Sequence, residues 1–487
     1  MKQKEIKKLI KPDRENGEAK RHFYNIVIIF VYSLTLPFLL ALLQTLVGAE
    51  SITDTFDNYY KFFVVGGMLF IVFMLIEKYI HIRWVDLMKS TKQLCFILLA
   101  VAITYVFSIL FGAYISVYTM PLLLSGLLIS ILVERRIALV SNVLINIVFF
   151  FLYTTLVPYA DIYAVLGAVF INALAGSFLI MLLRNAYIRL KIFVNGIIVG
   201  IVVSVPTAIL ITLITEFSPI DILTNSLWVL VSMFLDLALF MILMPVFENI
   251  FNLYSNFRLE EICSPEYPAM KELEKKAPGT YNHSLAVSNL AQACAMAIGE
   301  SPVLAKACAC YHDYGKIKNP LCFIENQKGY NPHDDYIPEV SVRMITEHTT
   351  FGAKLLKEMG LPAIIRNVAI EHHGTTEVRY FYNKAKNITD EELEQKEFAY
   401  GGPIPQTKMA GIIMITDTVE AATRAQGIEI GDGFRVYIHS LIQSKVNSGQ
   451  FNECPLTHKD IQVIEDTLVR VVPSFYHQRI KYSEEKK

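Results

Sequence analysis

The chain has 487 residues, of which 53% are hydrophobic and only 18% charged, whereas soluble domains usually carry about 25% charged residues. That balance excludes intrinsic disorder, and 24 Gly and 7 Cys exclude collagen-like and disulfide-scaffold classes. A formal charge of −1 gives no basis for binding a nucleic-acid polymer.

The apolar residues gather between Phe23 and Phe247. Eight runs there, at 23–48, 61–79, 93–112, 119–133, 137–157, 163–183, 192–215 and 226–247, read as spans, since a bilayer-crossing helix needs about 20 mostly apolar residues. The lipid bilayer is therefore the first expected partner. Loop charges set the expected orientation. Residues 1–22 carry eight Lys or Arg against four acids, and Lys78, Arg83, Lys89, Lys92, Arg135, Arg136, Arg184, Arg189 and Lys191 fall in alternate turns. The intervening loops carry Glu50, Asp54, Asp57, Asp161, Glu216 and Asp221. The reading is a basic cytoplasmic tail (1–22), a first anchor (23–48), a short extracytoplasmic loop (49–60) and a seven-helix transmembrane bundle (61–247). A multi-pass protein of a bacterial inner membrane follows, with both termini cytoplasmic. Asp236 lies mid-run in the last span, where an ionisable group is costly and marks either a structural hydrogen bond or a sensing role.

After Phe247 the composition turns ordinary. Residues 248–279 read as a linker helix region interrupted by Pro265 and Pro268. Residues 280–487 read as an all-helical cytoplasmic domain: Thr280 and Ser301-Pro302 open helices, and others are expected near 339–359, 362–373, 406–426, 433–447 and 457–470. A turn-rich loop is expected over 326–338. Six of the seven Cys lie in this half without disulfide spacing, and Cys308 and Cys310 read as small packing residues. The fold class is all-α, a polytopic membrane bundle followed by a helical soluble domain.

Nine of the eleven His lie beyond residue 280. His283, His312, His348, His372 and His373, with Asp313 and Asp417, fall on or at the ends of expected helices. Five imidazoles and two carboxylates suffice for two divalent ions; iron, manganese and zinc all accept such donors, and a carboxylate can bridge two ions. Two metals about 3.5–4 Å apart can activate a water and stabilise a phosphoryl group.

These residues sit in stretches that resemble the HD-domain metal-dependent phosphohydrolases, and more closely the membrane-bound cyclic-di-AMP phosphodiesterases of the PgpH type. The stretches are Pro278-Gly-Thr-Tyr-Asn-His283-Ser, Tyr311-His312-Asp313-Tyr-Gly315-Lys316, Phe323-Ile-Glu325-Asn326-Gln327, Asn331-Pro332-His333-Asp334, Glu371-His372-His373-Gly374-Thr375-Thr376 and Pro405-Gln406-Thr407-Lys408. The Gly-Thr-Thr element replaces the Gly-Tyr-Pro of relatives that cleave cyclic-di-GMP. The resemblance implies that His283, His312, Asp313 and Asp417 hold one metal. His348, His372 and His373 hold the second, with Asp313 bridging and catalytic. The two ions, iron or manganese, would activate a water that opens cyclic-di-AMP to pApA, with Lys316 contacting a phosphate. Substrate contacts are expected at Lys316, His333, Arg379 and Tyr380. Another cyclic dinucleotide or nucleotide as substrate, or a non-catalytic nucleotide-sensing receptor, are the alternatives, and a homodimer is a further expectation. Family members usually carry a large extracellular domain between the first span and the bundle, where this sequence has about a dozen residues.

Overall fold

The computed structural model describes residues 18–47, 59–83, 91–157, 159–183, 189–214, 218–389, 392–426 and 433–475. Most of the expected basic tail, the 49–60 loop up to Asn58, the turn residues 84–90 and 184–188, Glu216 and His477 lie outside them. The chain divides into two compact units, with the boundary between Phe257 and Arg258. Among the described residues both are helical and hold no β-strand; one isolated bridge joins Glu377 and Ala399.

The first unit contains α1 (Glu18–Val47), α2 (Tyr59–Arg83), α3 (Thr91–Tyr114), α4 (Leu124–Leu132), α5 (Arg135–Leu156), α6 (Ile162–Leu182), α7 (Arg189–Ile214) and α8 (Pro219–Phe251). All except α4 are long and apolar enough to cross a membrane. Large apolar side chains such as Phe63, Ile71, Phe170, Ile201 and Ile242 point outward along them. That arrangement suits lipid and not water. Polar side chains close the helix ends: Glu134 accepts from the N–H groups of Arg136 and Ile137 at the start of α5, and Ser218 and Asp221 form a capping box on α8.

The fourth expected run, 119–133, is a correction. It is not one helix but a 3₁₀ turn (Val117–Thr119), a non-helical stretch and the nine-residue α4. Pro121 explains the break. Its ring disfavours the helical conformation in the residue before it, and Met120 is extended at φ −64°, ψ 117°. Irregular backbone at membrane depth is tolerated only when protein encloses it. Met120, Leu122 and Leu123 are fully buried, and Ser232 on α8 donates its hydroxyl to the freed Met120 carbonyl at 2.7 Å.

Asp236 follows one turn after Ser232 and is completely buried. Its carboxylate faces the backbone N–H groups of Leu123 and Leu124, at an α4 start that no side chain caps, without completing a hydrogen bond. An acceptor near the amino end of a helix suits the free N–H groups of its first turn. Asp236→Ala should therefore lower stability by about 1–3 kcal/mol, the usual cost of leaving buried N–H groups with no acceptor nearby. Asp236→Asn, which keeps an acceptor, should stay within about 1 kcal/mol. Thermal unfolding midpoints in detergent measure both.

The second unit contains α9 (Asn256–Ile262), α10 (Pro268–Lys276), α11 (Pro278–Ala297), α12 (Pro302–Tyr311), α13 (Pro338–Glu358), α14 (Ala363–Glu371), α15 (Arg379–Lys386), α16 (Lys408–Gln426), α17 (Phe434–Asn447) and α18 (His458–Phe475). Its core is formed largely by α11, α12, α14, α16 and α18, through residues such as Leu290, Ala291, Cys308, Val368, Ile412, Ile415 and Leu468. Cys308 and Cys310 pack in that core, and every Cys among the described residues is free.

Candidate metal centre

Five helices bring the seven expected donors together. His283 comes from α11, His312 and Asp313 from the end of α12, His348 from α13, His372 and His373 from the end of α14, and Asp417 from α16. All are buried except His373, which is partly exposed.

Asp313 stands at the centre. Its Oδ1 faces His348 Nε2 at 3.2 Å and His372 Nε2 at 3.5 Å. Its Oδ2 faces His312 Nε2 at 3.2 Å and His283 Nε2 at 3.5 Å. Asp417 Oδ1 lies 3.0 Å from His283 Nε2, and Asp417 Oδ2 lies 3.8 Å from His373 Nδ1. The donors form two sets, His283–His312–Asp313–Asp417 and Asp313–His348–His372–His373, each with its ligand atoms within 4.8 Å of one another. Asp313 belongs to both and offers each a different oxygen.

The electrostatics are tense in the bare protein. Burial alone would lower His312, but the Asp313 and Asp417 carboxylates outweigh it and push it up to about 10. Burial would raise Asp313, but His312 and Lys316 hold it well below the usual carboxylate range. Burial and the neighbouring cationic imidazole depress His372 to about 4. Two atoms here, His312 Nε2 and Asp313 Oδ1, are buried without a hydrogen-bond partner among the described residues, while Asp313 Oδ2 meets the Lys316 ammonium. Such orphaned polar groups are costly. Imidazole and carboxylate atoms left open and converging are what a divalent transition metal needs, so the donor set fits the implied ions.

The sequence motifs hold this cluster in place. Asn326 Oδ1 accepts from the N–H groups of Gly279 and Thr280 and so caps α11, which carries His283. Glu325 Oε1 accepts from Thr280 Oγ1 and from Lys316 Nζ. Gly374 turns the chain at φ +54° directly after the His pair, a left-handed conformation that glycine adopts freely. Gln450 then accepts from the Thr375 N–H, and Lys445 donates to Thr376 Oγ1. Glu371, pushed up to about 7 by burial, accepts from the Gln406 N–H and ties α14 to the loop before α16.

Lys316 lies beside the cluster, with Nζ 2.7 Å from Asp313 Oδ2, 2.9 Å from Glu325 Oε1 and 4.8 Å from the Phe323 ring centroid. The other three expected substrate contacts do not join it. His333 turns into its own loop, where Nε2 bonds the Cys322 carbonyl at 2.8 Å and the ring meets Phe381 edge-on. The Arg379 side chain is 80% exposed and 3.8 Å from Glu377. Tyr380 is exposed and touches Phe381. Two residues near the donors were not singled out by spacing. Tyr400 lies over His373 with ring centroids 4.3 Å apart, and Glu420 bonds His283 Nδ1 at 2.5 Å. Tyr400 sits in a turn-rich stretch with no periodicity to mark it, whereas Glu420 lies one helical turn beyond Asp417, a spacing that signals a shared face.

The model of the HD-domain family matches residues 280–422. That of the 7TM receptors with intracellular HD hydrolase matches residues 58–255. The chain belongs to the membrane-bound HD family. The cyclic-di-AMP phosphodiesterase PgpH of Listeria monocytogenes is 36% identical over 374 residues, 76% of this chain and 51% of that protein. Its namesake in Bacillus subtilis is 35% identical over 369 residues, 75% of this chain and 51% of that protein. The chain thus spans about half the length of the curated relatives it matches. A crystal structure of the L. monocytogenes PgpH HD domain in complex with cyclic-di-AMP is 44% identical, with a TM-score of 0.42, covering 44% of this chain and all of that one. This HD protein is therefore multi-pass, with its HD domain in the C-terminal half.

Proposed function

We propose that the chain is a metal-dependent phosphodiesterase that hydrolyses cyclic-di-AMP to pApA. It is anchored in a bacterial inner membrane with the HD domain and both termini on the cytoplasmic side. The observation that carries this reading is the shared carboxylate: Asp313 gives Oδ1 to one donor set and Oδ2 to the other. Kinship with two proteins named cyclic-di-AMP phosphodiesterase supports the substrate.

His283, His312, Asp313 and Asp417 would hold one ion, and Asp313, His348, His372 and His373 the other; the donors suit iron or manganese. When bound, the ions supply an activated water and positive charge for the phosphoryl group. The protein's own part is positioning. Lys316, half-buried at the edge of the cluster, is the ammonium placed to meet a phosphate oxygen. Glu325 holds it there at 2.9 Å, a partner that does not depend on Asp313. The Gly374-Thr375-Thr376 turn, directly after the His pair, is pinned by Gln450 and Lys445.

The test is hydrolysis by the purified full chain given manganese or iron. Cyclic-di-AMP should yield pApA, faster than cyclic-di-GMP or a dNTP is turned over. Absence of pApA under both metals overturns the reading. Chelation with EDTA should stop turnover, and manganese in excess should restore it.

A further inference from the structure

Four of the five imidazoles in the two donor sets, those of His283, His312, His348 and His372, are held by the nitrogen turned away from the Asp313 and Asp417 carboxylates. For three of them that nitrogen is Nδ1 and its partner is the carbonyl three residues earlier. His312 meets Ala309 at 2.7 Å, His348 meets Ile345 at 2.6 Å, and His372 meets Ala369 at 3.1 Å. A carbonyl only accepts, so Nδ1 in each ring carries a proton, and Nε2 is the nitrogen that would give its lone pair to a metal once the ring is neutral.

His283 is different. Its Nδ1 bonds the Glu420 carboxylate at 2.5 Å, and both side chains are almost wholly buried. Glu420 lies three residues after Asp417 on α16, so one helical face supplies both a member of the donor set and the group behind a second member. Arg424, one turn further, places its guanidinium 3.7 Å from the same Glu420 oxygen. The carboxylate is thus held between a cation and an imidazole N–H.

A carboxylate behind a metal-facing imidazole does two things that a carbonyl does less well. It fixes ring and tautomer through a charge-assisted bond, and it makes the opposite nitrogen a stronger donor. We propose that Glu420 is a positioning residue for the His283–His312–Asp313–Asp417 set, tightening its hold on a divalent cation through His283. The two sets then differ in kind: only this one has an imidazole backed by a carboxylate among the described residues. This inference rests on the metal-centre reading above.

The experiment titrates manganese into the metal-stripped full chain in detergent, read by equilibrium dialysis and elemental analysis. Glu420→Ala should weaken one of two binding equivalents about 10–100-fold, the usual effect of removing such a partner, and leave the other within about threefold. Glu420→Gln, whose amide oxygen still accepts from Nδ1–H, should recover to within about tenfold of the wild type. In a His283→Ala background, Glu420→Ala should add no further loss, because the partner through which it acts is gone. A cobalt-loaded Glu420→Ala protein should show an altered visible spectrum for one equivalent only. Unchanged binding of both equivalents overturns the inference, as does an equal weakening of both with a lowered melting point. Should the alanine variant fail to fold, the glutamine variant and its His283→Ala double carry the same comparison. A wild-type chain that takes up no metal overturns the metal-centre reading and this inference together. That failure is told apart because it appears before any substitution is made.

Discussion

Replacing Asp313 with alanine is expected to remove metal from both donor sets and to lower the proposed cyclic-di-AMP hydrolysis on the order of a thousand-fold or more. The reasoning is geometric. Every other candidate ligand serves one set, whereas Asp313 divides its two oxygens between them, with four imidazole nitrogens at 3.2–3.5 Å. A thousand-fold corresponds to about 4 kcal/mol of transition-state stabilisation. A bound divalent ion would supply several kcal/mol of charge stabilisation. The fold should survive, since Lys316 keeps Glu325 as a partner after the change. Asp313→Asn sharpens the test, because the amide offers one acceptor where the carboxylate offers two, and at most one ion should remain. Metal content by elemental analysis and pApA formation are the two readouts. Retained hydrolysis in Asp313→Ala would refute the bridging role.

The donors of this site were legible because metal chemistry restricts residue type so severely. Nine His in the second half, two adjacent His-Asp pairs (His312-Asp313 and His333-Asp334) and one adjacent His pair leave few ways to assemble a cluster. The membrane half was legible for a similar reason, since a span is defined by length and apolarity alone. What sequence did not carry were features set by contact across distance. The break at Met120–Leu123 turns on Pro121 and on Ser232, 112 residues away, whose hydroxyl bonds the freed carbonyl. Glu420 backs His283 across 137 residues. His333 turns Nε2 to the Cys322 carbonyl 11 residues earlier, a pairing its place in the sequence does not announce. Tyr400 reaches His373 from a stretch with no regular pattern at all. Hydropathy and ligand type are properties of single residues, while these four are properties of pairs.

Gly315→Ala is expected to be as damaging to the site as the loss of a ligand, although Gly315 touches no metal donor side chain. The 3₁₀ turn Tyr314–Lys318 crosses α13 at the level of His348, and the crossing is backbone on backbone. A Cβ on Gly315 would overlap the His348 carbonyl oxygen and sit 2.6 Å from the Gly352 nitrogen. Neither neighbour is a side chain that can swing away. From the other side, a Cβ on Gly352 would meet the Gly315 nitrogen at 2.9 Å, so two glycines one above the other let the segments close. Overpacking of this kind typically costs about 1–3 kcal/mol, and a clash with backbone belongs at the upper end. For a unit of this size that lowers the melting midpoint by about 5–10 °C. The functional consequence is specific. The turn carries Lys316 and follows Asp313 directly, while α13 carries His348, so pushing them apart lengthens the 3.2 Å approach of Asp313 Oδ1 to His348 Nε2. The set containing His348 should lose its ion before the set containing His283 does. Gly433→Ala is the control, because a Cβ there meets nothing within 4 Å and its φ of −80° suits alanine. Melting curves and metal stoichiometry of the two variants decide the matter: a Gly315→Ala chain that melts like Gly433→Ala and holds two ions would show that the crossing yields, and that the close approach at His348 is not what sets the donor geometry.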